Sequence, residues 1–269
     1  MNTIGFIGGG NMAEALIKGI VTAGIYRPED VLVSDIRAER LGFLAVRYGV
    51  AAAESNSELA SKAEIIVLAV KPQKMINVLE GVKDAIGSKK LVISIAAGIK
   101  VASIAAVLGE IAIIRVMPNT PALIGEGASA LFANEQARPL LEKATSIFSS
   151  VGKAVVVNDE DLIDAVAAVS GSGPAYYFLL MEEMMKVGVE LGLTKAVARD
   201  LVLQTAKGAG LLAVEADKNG ESPAELRRKV TSPGGMTEAA LNVFAANDFS
   251  GLVSSAVTAS RDRGRELSG

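Results

Sequence analysis

Up to Asn158, short apolar segments alternate with segments of helical periodicity. The apolar segments are rich in β-branched residues and are apolar throughout, which predicts strands buried on both faces. The predicted strands are Thr3–Ile7, Val31–Ser34, Ile65–Val70, Leu91–Ile95 and Ile111–Met117, with weaker ones at Ala128–Phe132 and Ala154–Val157. Predicted helices between them include Met12–Ala23, Ala38–Tyr48 and Gln73–Ile86. This order of βαβ units predicts an α/β fold with a Rossmann-like, doubly wound parallel sheet.

The strand pattern stops after Asn158, and the rest of the chain is predicted to be helical. The predicted helices are Asp161–Ser170, Ala175–Leu191, Lys195–Asp217, Ala224–Val230, Glu238–Ala246 and Ser250–Leu267. The change of pattern predicts an α/β domain over residues 1–158 and an all-α domain over residues 159–269, with no long linker. The segment A-Y-Y-F-L-L-M-E-E-M-M is apolar around most of a helix, so it needs partners on several sides. We expect a second subunit to be one of them, which makes the all-α domain a dimerisation domain and the protein a homodimer.

Composition narrows the class of protein. The chain has 269 residues, of which 50% are apolar but only 4% aromatic, as suits a parallel sheet with tightly packed helices. Its formal charge of −3 disfavours nucleic-acid binding, which needs a basic face. Apolar runs such as Leu91–Ile99 are too short to span a membrane, and Asn11 and Glu14 interrupt the apolar start of the chain. We therefore expect a cytoplasmic protein without a nucleic-acid or membrane partner.

The chain contains neither cysteine nor histidine. Disulfides, thiolate nucleophiles, histidine acid–base catalysis and the usual zinc sites are therefore excluded, and no metal site is predicted. Proton transfer in any reaction would fall to Lys, Asp, Glu, Tyr, Ser, Thr, water or the substrate itself.

The first predicted strand leads into G-G-G-N-M-A, residues 8–13, which fits the pattern G-x-G-x-x-A. Gly8 would make the tight turn, Gly10 would let a pyrophosphate approach the backbone, and Ala13 would allow close packing of helix on strand. A glycine-rich turn can also be purely structural. Because this one follows a strand and opens a helix, we interpret residues 1–158 as a dinucleotide-binding domain.

The second strand ends V-S-D-I-R, residues 33–37, where the adenosine ribose of a dinucleotide would lie. An acidic residue here favours NADH, whereas a hydroxyl with an arginine suits the 2′-phosphate of NADPH. Asp35 supports the first cofactor, and Ser34 with Arg37 supports the second. Arg37 could equally be a solvated residue of the following helix, so the cofactor can be NADPH or NADH.

Two further motifs follow strands, A-V-K-P at residues 69–72 and R-V-M-P-N-T-P at residues 115–121. The carboxyl ends of strands are where doubly wound sheets bind ligands, although proline is also common loop punctuation. In the helical part, S-P-G-G-M-T at residues 232–237 opens a helix. We expect Thr237 to be its N-cap, and the two glycines would let backbone N–H groups reach an anion.

These motifs, in this order, resemble the pyrroline-5-carboxylate reductase family. The resemblance rests on G-F-I-G-G-G-N-M-A, A-V-K-P, M-P-N-T-P, S-G-S-G-P-A-Y and K-V-T-S-P-G-G-M-T-E-A-A-L, and it spans nearly the whole chain. It implies reduction of Δ1-pyrroline-5-carboxylate to L-proline by NADPH or NADH, the last step of proline biosynthesis. It also implies a Rossmann domain, a helical dimerisation domain and often a ring of dimers.

The resemblance also implies roles for individual residues. The candidates for cofactor binding are Gly8, Gly10, Asn11, Met12, Ser34, Arg37, Asn56, Ala69, Val70, Lys71, Pro72 and Ala97. The candidates for substrate binding are Ser232, Gly234, Gly235, Met236 and Thr237, and Thr237 is also the catalytic candidate, through a hydrogen bond to the imine nitrogen. Glu160 is expected to reach the cofactor or the substrate. Asp35 would repel a 2′-phosphate, which argues against a strong preference for NADPH.

Two other functions fit part of the pattern. A β-hydroxyacid dehydrogenase also joins a Rossmann domain to a helical one, but it relies on a lysine after a glycine-rich segment. Here the helix after G-S-G-P carries no lysine before Lys186, which disfavours that class. A redox sensor would bind the dinucleotide without turning anything over, and an assay with the imine substrate separates it from an enzyme.

Overall fold

The computed structural model describes residues 3–268, and its centre is an eight-stranded sheet. The strands are β1 Ile4–Ile7, β2 Val31–Ser34, β3 Ala51–Ala52, β4 Ile65–Leu68, β5 Leu91–Ser94, β6 Ala112–Met117, β7 Gly127–Ala133 and β8 Gly152–Val156. Their order across the sheet is β3-β2-β1-β4-β5-β6-β7-β8. The chain first builds outward from β1 to β3 and then crosses to β4 on the other side of β1. This reversal is the switch point of a doubly wound sheet, and it confirms the predicted fold class.

The first six strands are parallel, but β7 runs antiparallel to β6 and parallel to β8. The prediction of a parallel sheet therefore holds for six strands and not for the last two. The connection 118–126 explains the reversal, because it contains only a 3₁₀ turn at Thr120–Ile124. A parallel crossover needs about a dozen residues or more, usually including a helix, so this connection can only make an antiparallel return.

Helices cover the sheet and make up the rest of the chain. They are α1 Asn11–Thr22, α2 Ala38–Tyr48, α3 Asn56–Lys62, α4 Met75–Val82, α5 Val101–Leu108, α6 Leu141–Ser149, α7 Leu162–Val166, α8 Gly173–Glu190, α9 Lys195–Asp217, α10 Pro223–Lys229, α11 Met236–Ala246 and α12 Phe249–Ser268. A π-helical turn, Ala167–Gly171, joins α7 to α8. Strand β3 was not predicted, because two exposed alanines carry no periodic pattern.

The sheet separates two hydrophobic cores. Residues Ile4 and Phe6 of β1 belong to one core, and Ile7 of the same strand belongs to the other. Both cores draw on β4 in the same alternating way, and all four of its residues are buried. Because the strands are buried on both faces, most of their positions are apolar rather than every second one, and Ser34, Ser94 and Arg115 are buried polar exceptions.

Two compact units make up the chain. One comprises Met1–Pro174 together with Ala259–Gly269, and the other comprises Ala175–Thr258. We call them the sheet unit and the helical unit. The predicted boundary at residue 158 lies close to Val156, where the last strand of the sheet ends, and it stays a prediction about domains.

Helix α8 is poorly covered by its own chain. Four consecutive apolar side chains of this helix, Tyr177 to Leu180, are each between 46% and 67% exposed. No helix in the described part of the chain is both long and apolar enough to cross a membrane. The exposed apolar surface of α8 is therefore available to another subunit, as the sequence predicted.

Replacing Tyr26 with phenylalanine is expected to stabilise the protein. The Tyr26 ring is only 6% exposed, and its hydroxyl has no hydrogen-bond partner among the described residues. Because a buried hydroxyl without a partner costs free energy, Tyr26→Phe should raise the free energy of unfolding by about 1 kcal/mol near neutral pH.

The advantage of that variant should grow at high pH. Burial, with a smaller contribution from the charge of Glu64, raises the pKa of Tyr26 from 10.0 to about 12. Between these two values the unfolded state loses the tyrosine proton while the folded state keeps it, so wild-type stability falls as the pH rises. Denaturant unfolding of both proteins at neutral pH and above pH 10 measures this. A phenylalanine variant less stable than wild type would show that the hydroxyl has a partner.

Candidate active site

The parallel strands bring most of the predicted cofactor residues to one edge of the sheet. Strands β1, β2, β4 and β5 are neighbours and run in one direction, so the segments that follow them lie at the same edge. The glycine-rich turn follows β1, Ser34 ends β2, Ala69–Pro72 follow β4, and Ala97 follows β5. The turn after β1 lies at the switch point, where doubly wound sheets bind their ligands.

Gly8 is required by the backbone itself. Its φ is +98°, which L-residues other than glycine rarely adopt. A β-carbon at this position would lie 2.6 Å from the carbonyl oxygen of Ala69. Gly8 is therefore the residue that lets the end of β1 turn closely against the segment after β4.

Gly10 is not required by the protein. Its φ and ψ of −67° and −177° suit any residue, and a β-carbon here would have no atom within 4 Å. Gly10 is the N-cap of α1, and no side chain caps that end of the helix. The first N–H groups of a helix have no partner within the helix and form a site for an anion. The open space above Gly10 and these uncapped donors together fit the pyrophosphate of a dinucleotide.

Asp35 does not extend freely toward a ribose, because both of its carboxylate oxygens are engaged. Oδ2 accepts a hydrogen bond of 2.8 Å from the N–H of Gly9, and Oδ1 accepts from the N–H and Nε of Arg37, at 2.9 and 3.1 Å. Burial alone would raise the pKa of Asp35, but these hydrogen bonds and the charge of Arg37 outweigh it and lower the pKa. Asp35 thus fixes the glycine-rich turn and holds the exposed Arg37 side chain beside it.

Ser34 and Asn56, both predicted for the adenosine end, are in direct contact. The Ser34 hydroxyl donates a hydrogen bond of 2.7 Å to Oδ1 of Asn56. Ser34 is buried at the end of β2, and Asn56 is the partly exposed first residue of α3. The structure therefore joins two residues that lie 22 positions apart, and it leaves the amide nitrogen of Asn56 for other partners.

Sequence reasoning missed the side chains that support the glycine-rich turn from α2. The Nε of Arg40 donates to the carbonyl oxygen of Gly9, and its guanidinium is paired with Glu14 of α1. Tyr48 donates to the same carboxylate, at 2.8 Å. Nothing in the sequence distinguishes Arg40 from a solvated arginine, because its partners lie in another helix and in a loop.

The nicotinamide-side candidates line the edge next to the switch point. Lys71 and Ala97 are exposed, and Ala69, Val70 and Pro72 are partly exposed. A short 3₁₀ turn begins at Pro72, which directs the chain away from the sheet edge after Lys71. The segments after β4 and β5 therefore present, besides the Lys71 side chain, backbone groups and apolar side chains where the second half of a dinucleotide would lie.

One carboxylate oxygen of Glu160 has two protein partners. Its Oε1 accepts hydrogen bonds from Arg115, at 3.1 Å, and from the N–H of Val101, at 2.8 Å. Arg115, in β6, is 2% exposed and also pairs with Asp164, at 3.2 Å. The structure gives Glu160 a role in holding protein segments together, and the expectation that it also reaches a ligand stays a prediction. An arginine inside the apolar strand A-I-I-R-V-M was the sequence signal for such a cluster, because a buried arginine needs carboxylate partners.

The S-P-G-G-M-T segment lies in the helical unit, and its helix begins earlier than predicted. Helix α11 starts at Met236 with Gly235 as its N-cap, so Thr237 is its second residue and does not cap it. The prediction of Thr237 as N-cap was therefore wrong. Gly234, whose φ of +70° favours glycine, makes the turn, and the chain enters the helix two residues sooner than predicted.

The backbone donors of this segment also differ from the expectation. The N–H of Gly234 donates to Oε2 of Glu238, at 2.7 Å, and that of Gly235 donates to the carbonyl of Ser232, at 3.0 Å. The first hydrogen bond of α11 runs from Ala239 to Gly235, so the N–H groups of Met236 and Thr237 precede it. These two donors and the exposed side chains of Ser232 and Thr237 are what the segment can offer a ligand.

Comparison with known proteins decides the family. Residues 160–267 match the family model described as pyrroline-5-carboxylate reductase dimerisation, and residues 3–98 match the one described as NADP oxidoreductase, coenzyme F420-dependent. The pyrroline-5-carboxylate reductase of Pseudomonas aeruginosa is 46% identical over 266 residues, which cover 98% of this chain and 96% of that protein. This chain belongs to the pyrroline-5-carboxylate reductase family.

Solved structures agree with the assignment. A pyrroline-5-carboxylate reductase from Coxiella burnetii has a TM-score of 0.94 and 41% identity, with 100% of this chain and 99% of that chain covered. The pyrroline carboxylate reductase of Plasmodium falciparum, solved with NADP bound, has a TM-score of 0.87 and 32% identity, with 100% and 98% covered. The resemblance inferred from the motifs is confirmed, and the dehydrogenase and sensor alternatives lose their support.

Family membership confirms two coarser predictions. The chain is an oxidoreductase that uses a nicotinamide dinucleotide, and its helical part is of the dimerisation type, so it forms a homo-oligomer. The sheet unit suits that cofactor on its own evidence, because the space over Gly10, the uncapped start of α1 and the Ser34–Asn56 pair lie along one edge.

Proposed function

We propose that this chain reduces Δ1-pyrroline-5-carboxylate to L-proline, with the two compact units dividing the work. The sheet unit binds NADPH or NADH, and the segment 232–237 of the helical unit binds the substrate. The observation that supports the first part is the open space over Gly10 at an uncapped helix start. The second part is supported by the uncommitted N–H groups and hydroxyl at the start of α11.

Each group of residues has a task in this proposal. The first turn of α1 binds the pyrophosphate, Ser34, Arg37 and Asn56 bind the adenosine end, and Ala69–Pro72 with Ala97 flank the nicotinamide end. The N–H groups of Met236 and Thr237, at the positive end of α11, bind the substrate carboxylate. When bound, the reduced cofactor supplies the hydride for the C=N bond. The hydroxyl of Thr237 hydrogen-bonds to the imine nitrogen and orients the ring.

The absence of histidine is compatible with this reaction. The imine nitrogen is itself basic, so it can carry the proton that the product amine needs without a strong side-chain acid. Catalysis then depends mainly on holding the substrate in a reactive geometry, which can contribute several kcal/mol. The homo-oligomer is proposed to be a dimer that can assemble further into a ring of dimers, and the cytoplasmic location stays a prediction.

The proposed function is tested by turnover. Purified full-length protein should oxidise NADPH and NADH in the presence of Δ1-pyrroline-5-carboxylate and form proline, with kcat/KM determined for each cofactor. Binding of either dinucleotide without turnover would instead support a sensor and overturn the proposal.

Replacing Asp35 with asparagine is expected to shift the cofactor preference toward NADPH. The amide oxygen of asparagine can still accept from the N–H of Gly9, but the charge that holds Arg37 is lost. Arg37 becomes free for a 2′-phosphate, and the repulsion of that group by the carboxylate disappears. The ratio of kcat/KM for NADPH to that for NADH should therefore rise by about tenfold.

Asp30 offers a matched control for this prediction. It pairs with Arg27 at 2.8 Å, as Asp35 pairs with Arg37, but it precedes β2 and so lies away from the site. Asp30→Asn should leave the cofactor ratio unchanged. An unchanged or lower ratio in the Asp35 variant would mean that this carboxylate does not govern the choice.

A further inference from the structure

A buried ionic cluster connects three segments of the sheet unit. The guanidinium of Arg115 donates to Glu160 and to Asp164, at 3.1 and 3.2 Å, and Arg115 is 2% exposed. Its Nε has no partner among the described residues, so the two carboxylates are what balance the buried charge. Removing a carboxylate from a buried arginine is costly, which means that the positions of Glu160 and Asp164 are tightly set relative to β6. We call Arg115, Glu160 and Asp164 the Arg115 cluster.

Only one of the two carboxylates also holds helix α5. Oε1 of Glu160 accepts the N–H of Val101, the first residue of α5, at 2.8 Å. The N-cap of that helix, Lys100, makes no capping hydrogen bond with its side chain. Glu160 therefore supplies, from 59 residues away, the acceptor that the start of the helix lacks. The contacts described for Asp164 are with Arg115 and do not include α5.

The start of α5 is also the end of the segment that follows β5. Residues 95–100 connect the two, and Ser94, the last residue of β5, is paired in register with Arg115. This segment lies across the switch point from Ser34, which ends β2. A dinucleotide with its pyrophosphate on α1 and its adenosine end at β2 must extend its other half over β4 and β5. Segment 95–100 is thus anchored at one end by the sheet and at the other by Glu160, beside a more exposed ion pair of Lys100 with Asp161, at 3.5 Å.

We infer that Glu160 is a positioning residue for the nicotinamide half of the cofactor, acting through segment 95–100. The inference rests on the proposed cofactor site. Because Arg115 fixes Glu160 and Glu160 fixes the N–H of Val101, losing the glutamate leaves that N–H without its acceptor and loosens the segment at its α5 end. The adenosine end, held by Ser34 and Asn56, is independent of this connection.

Asp164 provides the matched control, because it contacts the same guanidinium but not α5. The variants Glu160→Ala, Glu160→Gln and Asp164→Asn are compared as full-length proteins. Binding of reduced nicotinamide mononucleotide and of 2′,5′-ADP, which represent the two halves of NADPH, is measured by NMR titration. The kcat and KM with NADPH and the imine are measured in parallel.

For Glu160→Ala we expect kcat to fall by about tenfold, because small displacements of a reacting group are costly. The dissociation constant for the nicotinamide fragment should rise several-fold, while that for 2′,5′-ADP stays at the wild-type value. Glu160→Gln keeps an oxygen for the N–H of Val101 and should recover most of the loss. Asp164→Asn should lower the melting temperature but leave kcat and the dissociation constants for both fragments near their wild-type values.

Two results would overturn the inference. One is an equal loss of affinity for both fragments in Glu160→Ala. The other is an equal effect of the Glu160 and Asp164 variants on kcat and on fragment binding. Either result would mean that the cluster only stabilises the fold. If Glu160→Ala does not fold, Val101→Pro removes the same N–H at a helix position that tolerates proline, after Lys100 at φ −77° and ψ 155°. The same contrast between fragments is then expected. A wild-type protein that binds the fragments but does not reduce the imine would refute the proposed function while leaving this inference testable.

Discussion

The variant Gly10→Val is expected to lose at least about a hundredfold in affinity for NADPH and NADH, or about 2.7 kcal/mol, while keeping its fold. The backbone at Gly10 suits any residue, and a β-carbon there meets no protein atom within 4 Å. The added side chain therefore occupies only the space over the start of α1, where we place the pyrophosphate. Equilibrium binding by fluorescence of the reduced nicotinamide, together with thermal unfolding without cofactor, measures both effects.

Variants at other glycines distinguish a loss of cofactor binding from a loss of folding. Gly81, in α4, also has nothing within 4 Å of a β-carbon, so Gly81→Ala should leave binding unchanged and slightly stabilise the helix. Gly8→Ala should destabilise the apoprotein, because its φ of +98° and the nearby carbonyl of Ala69 require glycine. Serine is a better N-cap than glycine, so Gly10→Ser should raise the melting temperature while it weakens binding of the cofactor. Wild-type affinity in Gly10→Val would place the pyrophosphate elsewhere.

Replacing Thr237 with valine is expected to lower kcat/KM for the imine by at least about tenfold, or 1.4 kcal/mol. Thr237 is exposed at the second position of α11 and is not its cap, so the substitution removes a hydroxyl without removing a stabilising contact that the structure describes. A hydrogen bond to the nitrogen that strengthens during hydride transfer should affect kcat and not only KM. Stability should change by less than about 0.5 kcal/mol, as is usual at the surface.

Thr237→Ser keeps the hydroxyl and should retain most of the activity, whereas valine keeps the shape of the side chain. This pair distinguishes hydrogen bonding from packing. Steady-state kinetics over both substrates, with dinucleotide binding as a check on the sheet unit, gives the answer. Near wild-type kcat in a folded Thr237→Val protein would leave the N–H groups of α11 as the whole contribution of this segment.

Much of the fold could be predicted from local patterns in the sequence. The strand Val31–Ser34 and the helices Ala38–Tyr48 and Lys195–Asp217 were predicted with the bounds that the structure has. They are predictable because burial on both faces of a sheet makes most strand positions apolar, and helical periodicity is equally local. The glycine-rich turn was recognisable for the same reason, since its strand, turn and helix are contiguous.

Contacts between distant segments were not predictable in this way. Arg40 has no sequence feature that marks it as more than a solvated arginine, and Glu160 was expected to contact a ligand, yet the structure pairs both with residues of other elements. The engagement of Asp35 with Gly9 and Arg37 likewise depends on the turn after β1 lying beside the end of β2. Periodicity along the chain indicates whether a residue is buried or exposed, but it does not identify the distant residue with which that residue pairs.

The sequence by itself determined the order of strands and helices, the dinucleotide turn, the exclusion of cysteine and histidine chemistry, and the family. Tertiary structure decided the partners of Asp35, Arg40 and Glu160. The physical reason is the distance along the chain over which each kind of interaction acts. Backbone conformation and burial follow from neighbours along the chain, whereas ion pairs and hydrogen bonds form between groups that only the folded chain brings together.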